Sequence, residues 1–179
     1  RGLGDVYKRQ SINDTLLDII VNDMIQKTVE INNCACSAII SNPLSDYLKL
    51  ADTYQKLKEG FHIRMIRKQQ WQYIFLDELQ YDRIMLHISE DTEVHQFIRC
   101  KLGPLVEYDR AHDTQLLETL EALIQNHNSR KLAAESLFLH RNTMVHRINK
   151  IEEVLHCSLD DTEIMEQLEF AIKMKMYAH

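Results

Sequence analysis

Arg141, Asn142, Thr143, His146, Arg147 and Lys150 place two guanidinium forks, an amide, a hydroxyl, an imidazole and an ammonium within about three helical turns. Wound at about 100° per residue, Thr143, His146, Arg147 and Lys150 fall on one side of a helix over residues 142–155. Val145, Ile148, Ile151 and Leu155 fall on the other, with Met144 at its margin. An apolar stripe under a row of donors suits insertion into the major groove of a duplex, where arginine forks onto guanine and threonine meets a thymine methyl. Arg147 and Arg141 can read guanine or clamp a phosphate. Asn142 or His140 can cap the helix, and Lys150, with Lys131 upstream, is suited to phosphate anchoring. Between residues 130 and 150, Arg130, Lys131, Arg141, Arg147 and Lys150 face the single acid Glu135. That stretch therefore carries +4 in a chain of net −6, which leaves −10 for the remainder. A compact cationic element in an acidic protein points to a polyanion as partner. The rival reading is the solvated outer face of a surface helix, or a helix pair that docks on a protein without touching DNA.

The elements that must hold these groups read as a helix–turn–helix. Leu132, Ala133, Ser136 and Leu137 anchor a first short helix, and the small Ala133 and Ala134 allow a close crossing with the second. Upstream, Leu116, Leu117, Leu120, Leu123 and Ile124 recur at helical spacing behind a candidate N-cap, Asp113. Downstream, Asp160, Asp161 or Thr162 caps a last helix with Ile164, Met165, Leu168, Ala171 and Ile172 facing inward. Four helices in residues 109–179 make a small bundle, close to the size below which a lone core is marginal.

Residues 11–108 read as α/β. A helix is expected over 13–31, from Leu16, Ile19, Ile20, Met24 and Ile25. A strand is expected in CACSAIIS (34–41) and another in WQYIFL (71–76). Between them Leu44, Tyr47, Leu48, Ala51 and Tyr54 mark one helix face that Gly60 should close, and Gly103-Pro104 should break a helix beginning near residue 92. Two strands alone make a poor sheet, so this half reads as the tail of a larger α/β domain, or as a sheet completed by a partner subunit. Residues 1–10, RGLGDVYKRQ, lack any period and read as non-native or as the ragged edge of a longer chain.

At 45% hydrophobic and 27% charged the composition is that of a folded protein rather than a disordered one. No apolar run approaches a membrane span, and the first thirty residues hold no signal-peptide core. Cys34, Cys36, Cys100 and Cys157 are few and irregular, which suits reduced thiols in the cytoplasm. Cys34 and Cys36, alternate on the expected strand, should point the same way as buried thiols. No P-loop, HExxH, zinc spacing or Ser-His-Asp arrangement is present, so neither a cofactor, a metal nor an enzymatic role is expected. Glu152, Glu153, Asp160, Asp161, Glu163, Glu166 and Glu169 are expected on a solvated face turned away from DNA.

The stretch from Leu116 to Met174 resembles the C-terminal helix-turn-helix domain of PucR-type bacterial transcriptional regulators, which include purine-catabolism and sugar-diacid regulators. The resemblance is carried by LLETL (116–120), LFLHRNT (137–143), Arg147-Ile148, KIEEVL (150–155) and LDD (159–161). Residues 102–120 resemble the connection to a degenerate GGDEF-like domain, and residues 34–100 resemble the end of that domain loosely. Asn126-His127-Asn128 and His156 stand where the family often has glycine, and His146 where it favours Arg or Tyr; asparagine tolerates the left-handed backbone glycine supplies. The resemblance implies a mainly α (α+β) chain: a GGDEF-like remnant at 11–108, then a DNA-binding domain at 109–179. It further implies a homodimer or higher oligomer on double-stranded DNA and a small-molecule effector bound upstream; the donor chemistry of the residues themselves offers Lys131, Arg141, Asn142, Thr143, His146, Arg147 and Lys150 as the contacts.

Overall fold

A computed structural model of the chain describes residues 12–68 and 71–178, so the expectation for residues 1–10 lies outside the described residues. The chain divides into two compact units, one up to Leu86 and one from His87 onward.

In the first unit, helix α1 (Ile12–Asn32) precedes strand β1 (Ala38–Ile40), helix α2 (Leu50–Arg67) and strand β2 (Tyr73–Phe75). Helix α3 (Gln80–Ser89) then carries the chain across the boundary. Both expected strands are present, and they pair in parallel with Ile39 opposite Ile74. Parallel neighbours require a crossover, which α2 supplies. Gly60 does not close α2 but lies inside it, because the helix needs it there. A Cβ on Gly60 would sit 2.6 Å from Ile39 Cδ1 and 3.0 Å from Leu79 Cδ1, so glycine lets helix and strand approach. The helix ends instead at Lys68, in left-handed conformation. The expected apolar face also shifts. Tyr47, Leu48 and Tyr54 are exposed, while Thr53, Gly60 and Ile63 face inward. On α1 only Ile25 of the expected stripe is buried; Leu16, Ile19, Ile20 and Met24 are exposed. Arg67 pairs with the buried Asp82 at 2.9 Å and Arg83 with Glu59 at 2.7 Å, tying α3 to α2. Cys34 and Cys36 precede β1 rather than lying in it, and are exposed and half-buried instead of the expected buried pair.

The second unit holds α4 (Thr92–His112), α5 (Leu116–Gln125), α6 (Arg130–Ser136), α7 (Arg141–Leu155) and α8 (Thr162–Tyr177). Their core contains Leu102 and Leu105 from α4, Leu116, Leu120 and Leu123 from α5, and Met165, Leu168, Ala171 and Ile172 from α8. The inward face expected for α8 is therefore the observed one, apart from Ile164, which is partly buried. Each fully buried Leu or Ile contributes about 1.5–3 kcal/mol. α4 does not stop at Gly103-Pro104 but continues to His112, since Leu102 and Leu105 on either side of the pair are buried and hold the helix together. Asp113 is the left-handed C-cap of α4, not the N-cap of α5. The capping group of α5 comes from the last turn of α4. Asp109 accepts hydrogen bonds from Leu116 N (2.8 Å) and Leu117 N (2.9 Å), where a carboxylate also meets the positive end of the helix dipole. Asp161 caps α8 through the N–H groups of Glu163 and Ile164. Among the described residues no helix is long and apolar enough to cross a membrane.

Pro104 is exposed inside α4 and leaves the Cys100 carbonyl without its helical donor. Pro104→Ala should raise the unit's stability by about 1 kcal/mol, the helix gain being partly offset by a freer unfolded chain. Thermal denaturation of the two chains checks this; an unchanged or lower midpoint would mean that α4 is broken at Gly103 in solution.

Candidate nucleic-acid interface

Ser129 caps α6 by accepting from Leu132 N at 3.4 Å. The helix buries Ala133 and Ala134, the small residues that allow α7 to cross closely, while Leu132, expected as an anchor, is half exposed. Before α6 the chain turns through His127 and Asn128, both left-handed (φ 52° and 62°) at the positions where glycine is the easier residue. After α6 the chain bends again at Phe138, φ 55°. Leu139 N donates to Ala134 O at 2.8 Å, and Leu137 and Leu139 pack on the core. A bulky residue in left-handed backbone costs about 1–2 kcal/mol, so the turn is held against strain.

α7 starts at His140, whose Nδ1 accepts from Asn142 N at 3.3 Å. That leaves the Asn142 amide free and exposed, and settles the choice between His140 and Asn142 as cap. The helix ends at His156, left-handed at φ 52°. Glu152 accepts from Leu159 N at 2.8 Å and fixes the exit toward α8. The inward stripe is Met144, Ile148 and Ile151, all 1% exposed or less, flanked by the partly buried Val154 and Leu155. The stripe drawn from the sequence was therefore rotated: Met144 is central, and Val145, expected inside, is 38% exposed.

This rotation decides where each candidate side chain stands. Asn142, His146, Asn149 and Glu153 recur at helical spacing and are all exposed, forming one outer ridge, with exposed Thr143 on one flank and Val145 on the other. Asn149 and Val145 escaped the sequence reading; their signal is the ridge spacing itself once Met144 is placed inside. Arg147 leaves the outward set. Its guanidinium donates to Thr119 Oγ1 at 3.1 Å and to Gln115 Oε1 at 3.2 Å, both on or beside α5. Thr119 is fully buried, and its hydroxyl donates a hydrogen bond to Gln115 O at 2.7 Å.

The cations are unequally available. Arg130 is paired with Asp160 at 2.8 Å. Lys150 is held by Glu153 at 2.8 Å and lies 5.5 Å from the centre of the Tyr108 ring, and the Glu153 hydrogen bond pushes its pKa up. Lys131 is 86% exposed with Glu135 at 4.0 Å, and Arg141 is exposed with no ion pair among the described residues. Of the acids expected on a face turned away from this helix, Glu152, Glu153, Asp160 and Asp161 are engaged by neighbouring groups, Glu153 on the outer ridge itself, while Glu166 and Glu169 are exposed. Among the described residues no cluster of His, Cys, Asp or Glu is arranged to hold a metal ion.

Two groups behind the ridge have measurable consequences. Arg147→Ala should cost about 1–2 kcal/mol of stability, by loss of two charge-assisted hydrogen bonds; a thermal or urea midpoint equal to wild type would contradict the clamp. For Asp109, burial would push the carboxyl up, but hydrogen bonds from Leu117 N, Thr114 Oγ1 and Leu116 N, with Arg147 nearby, outweigh it and hold the pKa below the ordinary value. A depressed carboxylate contributes stability at neutral pH that disappears as pH falls through and below the ordinary aspartate range. The stability gap between wild type and Asp109→Asn, measured by urea denaturation, should therefore be large at pH 7 and close in acid; a gap independent of pH refutes the capping role.

Residues 116–174 match the family model described as the PucR C-terminal helix-turn-helix domain. The chain is 32% identical over 91 residues to the Purine catabolism regulatory protein of Bacillus subtilis (strain 168), covering 51% of this chain and 17% of that one. It is 31% identical over 133 residues to the Proline-responsive transcriptional activator PutR of the same organism, covering 72% of this chain and 32% of the relative. It is also 35% identical over 85 residues to an uncharacterized protein in the pkwA 5′ region of Thermomonospora curvata. The chain thus spans a third or less of the two named regulators. No solved structure matches it. Residues 116–174 are a PucR C-terminal helix-turn-helix domain, the kind of domain that serves DNA-binding transcription regulation, and the chain that carries it is homologous to PucR-type regulators.

Proposed function

We propose that the chain is the DNA-binding portion of a sequence-specific transcriptional regulator, with α7 as the helix that enters the major groove. The observation that carries this reading is the outer ridge of α7: Asn142, His146 and Asn149 stand exposed in one line with Thr143 and Val145 beside them. Asn142 and Asn149 present amides that pair with adenine, His146 can donate or accept, and Thr143 and Val145 offer methyls to thymine. Arg141 and Lys131 anchor phosphates, and the amides at the start of α7 favour the same anion. Arg147 serves from behind, holding α7 at its angle to α5, and Lys150 supports it at the rim with its charge shared with Glu153. One helix of this size reads few base pairs, which supports a symmetric dimer on repeated half-sites.

For the remainder, the boundary expected between residues 108 and 109 would fall inside α4, whose Leu102 and Leu105 lie in the core of the second unit, so the α/β reading is kept for the unit up to Leu86 and the DNA-binding reading for the unit that follows. The parallel β1–α2–β2 crossover supports the α/β reading. Kinship to GGDEF-like domains rests on sequence resemblance, and a small-molecule effector acting through an upstream domain rests on kinship to larger regulators. A protein-docking role for the helix pair is disfavoured by the polar character of the ridge.

The test is fluorescence anisotropy against DNA fragments selected from random duplexes. Wild type should bind with an affinity that falls steeply with salt. Arg141→Ala should lower the slope of log K against log salt by about 0.9. His146→Ala with Asn149→Ala should instead cost specificity, about 1–3 kcal/mol per lost base contact, at unchanged slope. A chain that ignores duplex DNA at low salt, or a double variant with wild-type sequence preference, refutes the assignment.

A further inference from the structure

Phe138 is the most exposed large apolar residue among those described, at 97%. Its setting prevents the ring from tucking away. The residues on either side, Leu137 and Leu139, pack on the core, and the backbone is pinned by Phe138 N to Glu135 O (3.2 Å) and Leu139 N to Ala134 O (2.8 Å). The ring therefore projects from a rigid turn whose left-handed backbone would suit glycine or asparagine better. Solubility and folding both favour a different residue here, so an aromatic ring needs a partner outside the chain.

The surroundings indicate what that partner is. The turn leads within a few residues to Arg141, exposed and without an ion pair among the described residues, and to the outer ridge of α7. Lys131, 86% exposed, lies on the helix that precedes it. A protein partner of ordinary size needs about 800 Å² per side with several apolar anchors. The α6–turn–α7 segment offers one full ring, the half-exposed Leu132 and Val145, and cations and hydrogen-bonding groups otherwise. We propose that Phe138 is a DNA contact: its ring lies against the deoxyribose edge of the duplex where α7 enters, while Arg141 and Lys131 take the adjacent phosphates. This rests on the reading of α7 as the recognition helix. The contact adds apolar area without charge, and it fixes how deeply the helix seats rather than which bases it reads.

The test compares wild type, Phe138→Gly, Phe138→Tyr and Arg141→Ala on a mixed-sequence duplex across a salt series, alongside thermal midpoints and sedimentation velocity. Phe138→Gly should weaken binding about tenfold at every salt concentration, leaving the log–log slope at its wild-type value. Its thermal midpoint should match or exceed wild type, since glycine relieves the turn. Phe138→Tyr should bind as wild type, and Arg141→Ala should flatten the slope. If Phe138→Gly binds as tightly as wild type while wild type binds well, the Phe138 contact is wrong and the recognition helix stands. If Phe138→Gly dissociates an oligomer and leaves the affinity of each protomer unchanged, the ring covers another copy of the chain and the proposal is likewise overturned. If wild type ignores the duplex, both readings fall together.

Discussion

The packing of Met144, Ile148 and Ile151 into the bundle is the constraint on which the interface depends. A helix that sinks one stripe commits every other residue to an angle, at about 100° per step. Turning α7 by a single residue would bring Val145 inside, move Met144 to the margin and push Arg147 toward solvent. The well-packed seam with Leu116, Leu120 and Leu123 of α5 excludes this, because a shift would bury polar edges and open voids at several positions at once. Arg147 then reinforces the angle chosen by the apolar stripe, its guanidinium bridging to the buried Thr119 hydroxyl and the Gln115 amide. Asp109 joins the same assembly from α4 by closing the exposed N–H groups of α5. The ridge is thus positioned by α4 and α5, which contribute no residue to it.

Charge is distributed with the same economy. Of the five cations that make the segment conspicuous, Arg130 and Lys150 are committed to Asp160 and Glu153, and Arg147 is spent inward. What remains for a polyanion is Arg141, Lys131 and the amide-rich start of α7. Exposed pairs such as Lys150–Glu153 contribute little to stability and yield readily to a phosphate. They also lower the non-specific attraction that five free cations would exert, and on the proposed reading discrimination falls to the amides, the imidazole and the methyls of the ridge.

How much of this was legible follows from how each signal arises. The four C-terminal helices are readable because periodicity and length agree, and both strands are readable from bounded apolar runs. The misreadings share one cause, tertiary context overriding a local rule. Pro104 and Gly60 look like breakers, yet Leu102 and Leu105 hold α4 through the first, and Ile39 demands the absent Cβ of the second. The stripe of α7 was misplaced because methionine and valine are equally plausible core residues by type, and only the packed bundle separates Met144 from Val145. Arg147 reads by sequence as an outward donor, because a sequence cannot show that Thr119, far away in the chain, lies within reach of its guanidinium. Asp109 was missed as a cap because the capping group belongs to the preceding helix, not to the residue before α5.

The turn between α6 and α7 brings these threads to one place. Local preference would put glycine or asparagine where the backbone is left-handed, as the neighbouring turn does with Asn128 and, less comfortably, with His127. Phe138 breaks that rule, and it breaks a second one by exposing a full ring to water. Two unfavourable choices at one residue are hard to attribute to drift, since a single substitution would relieve both. Strain held at a position where the rest of the element obeys every rule is the pattern expected where a surface is shaped for a partner. Because Phe138 precedes Arg141 and the opening of α7 by only three residues, the ring is assigned to the same partner proposed to seat the ridge.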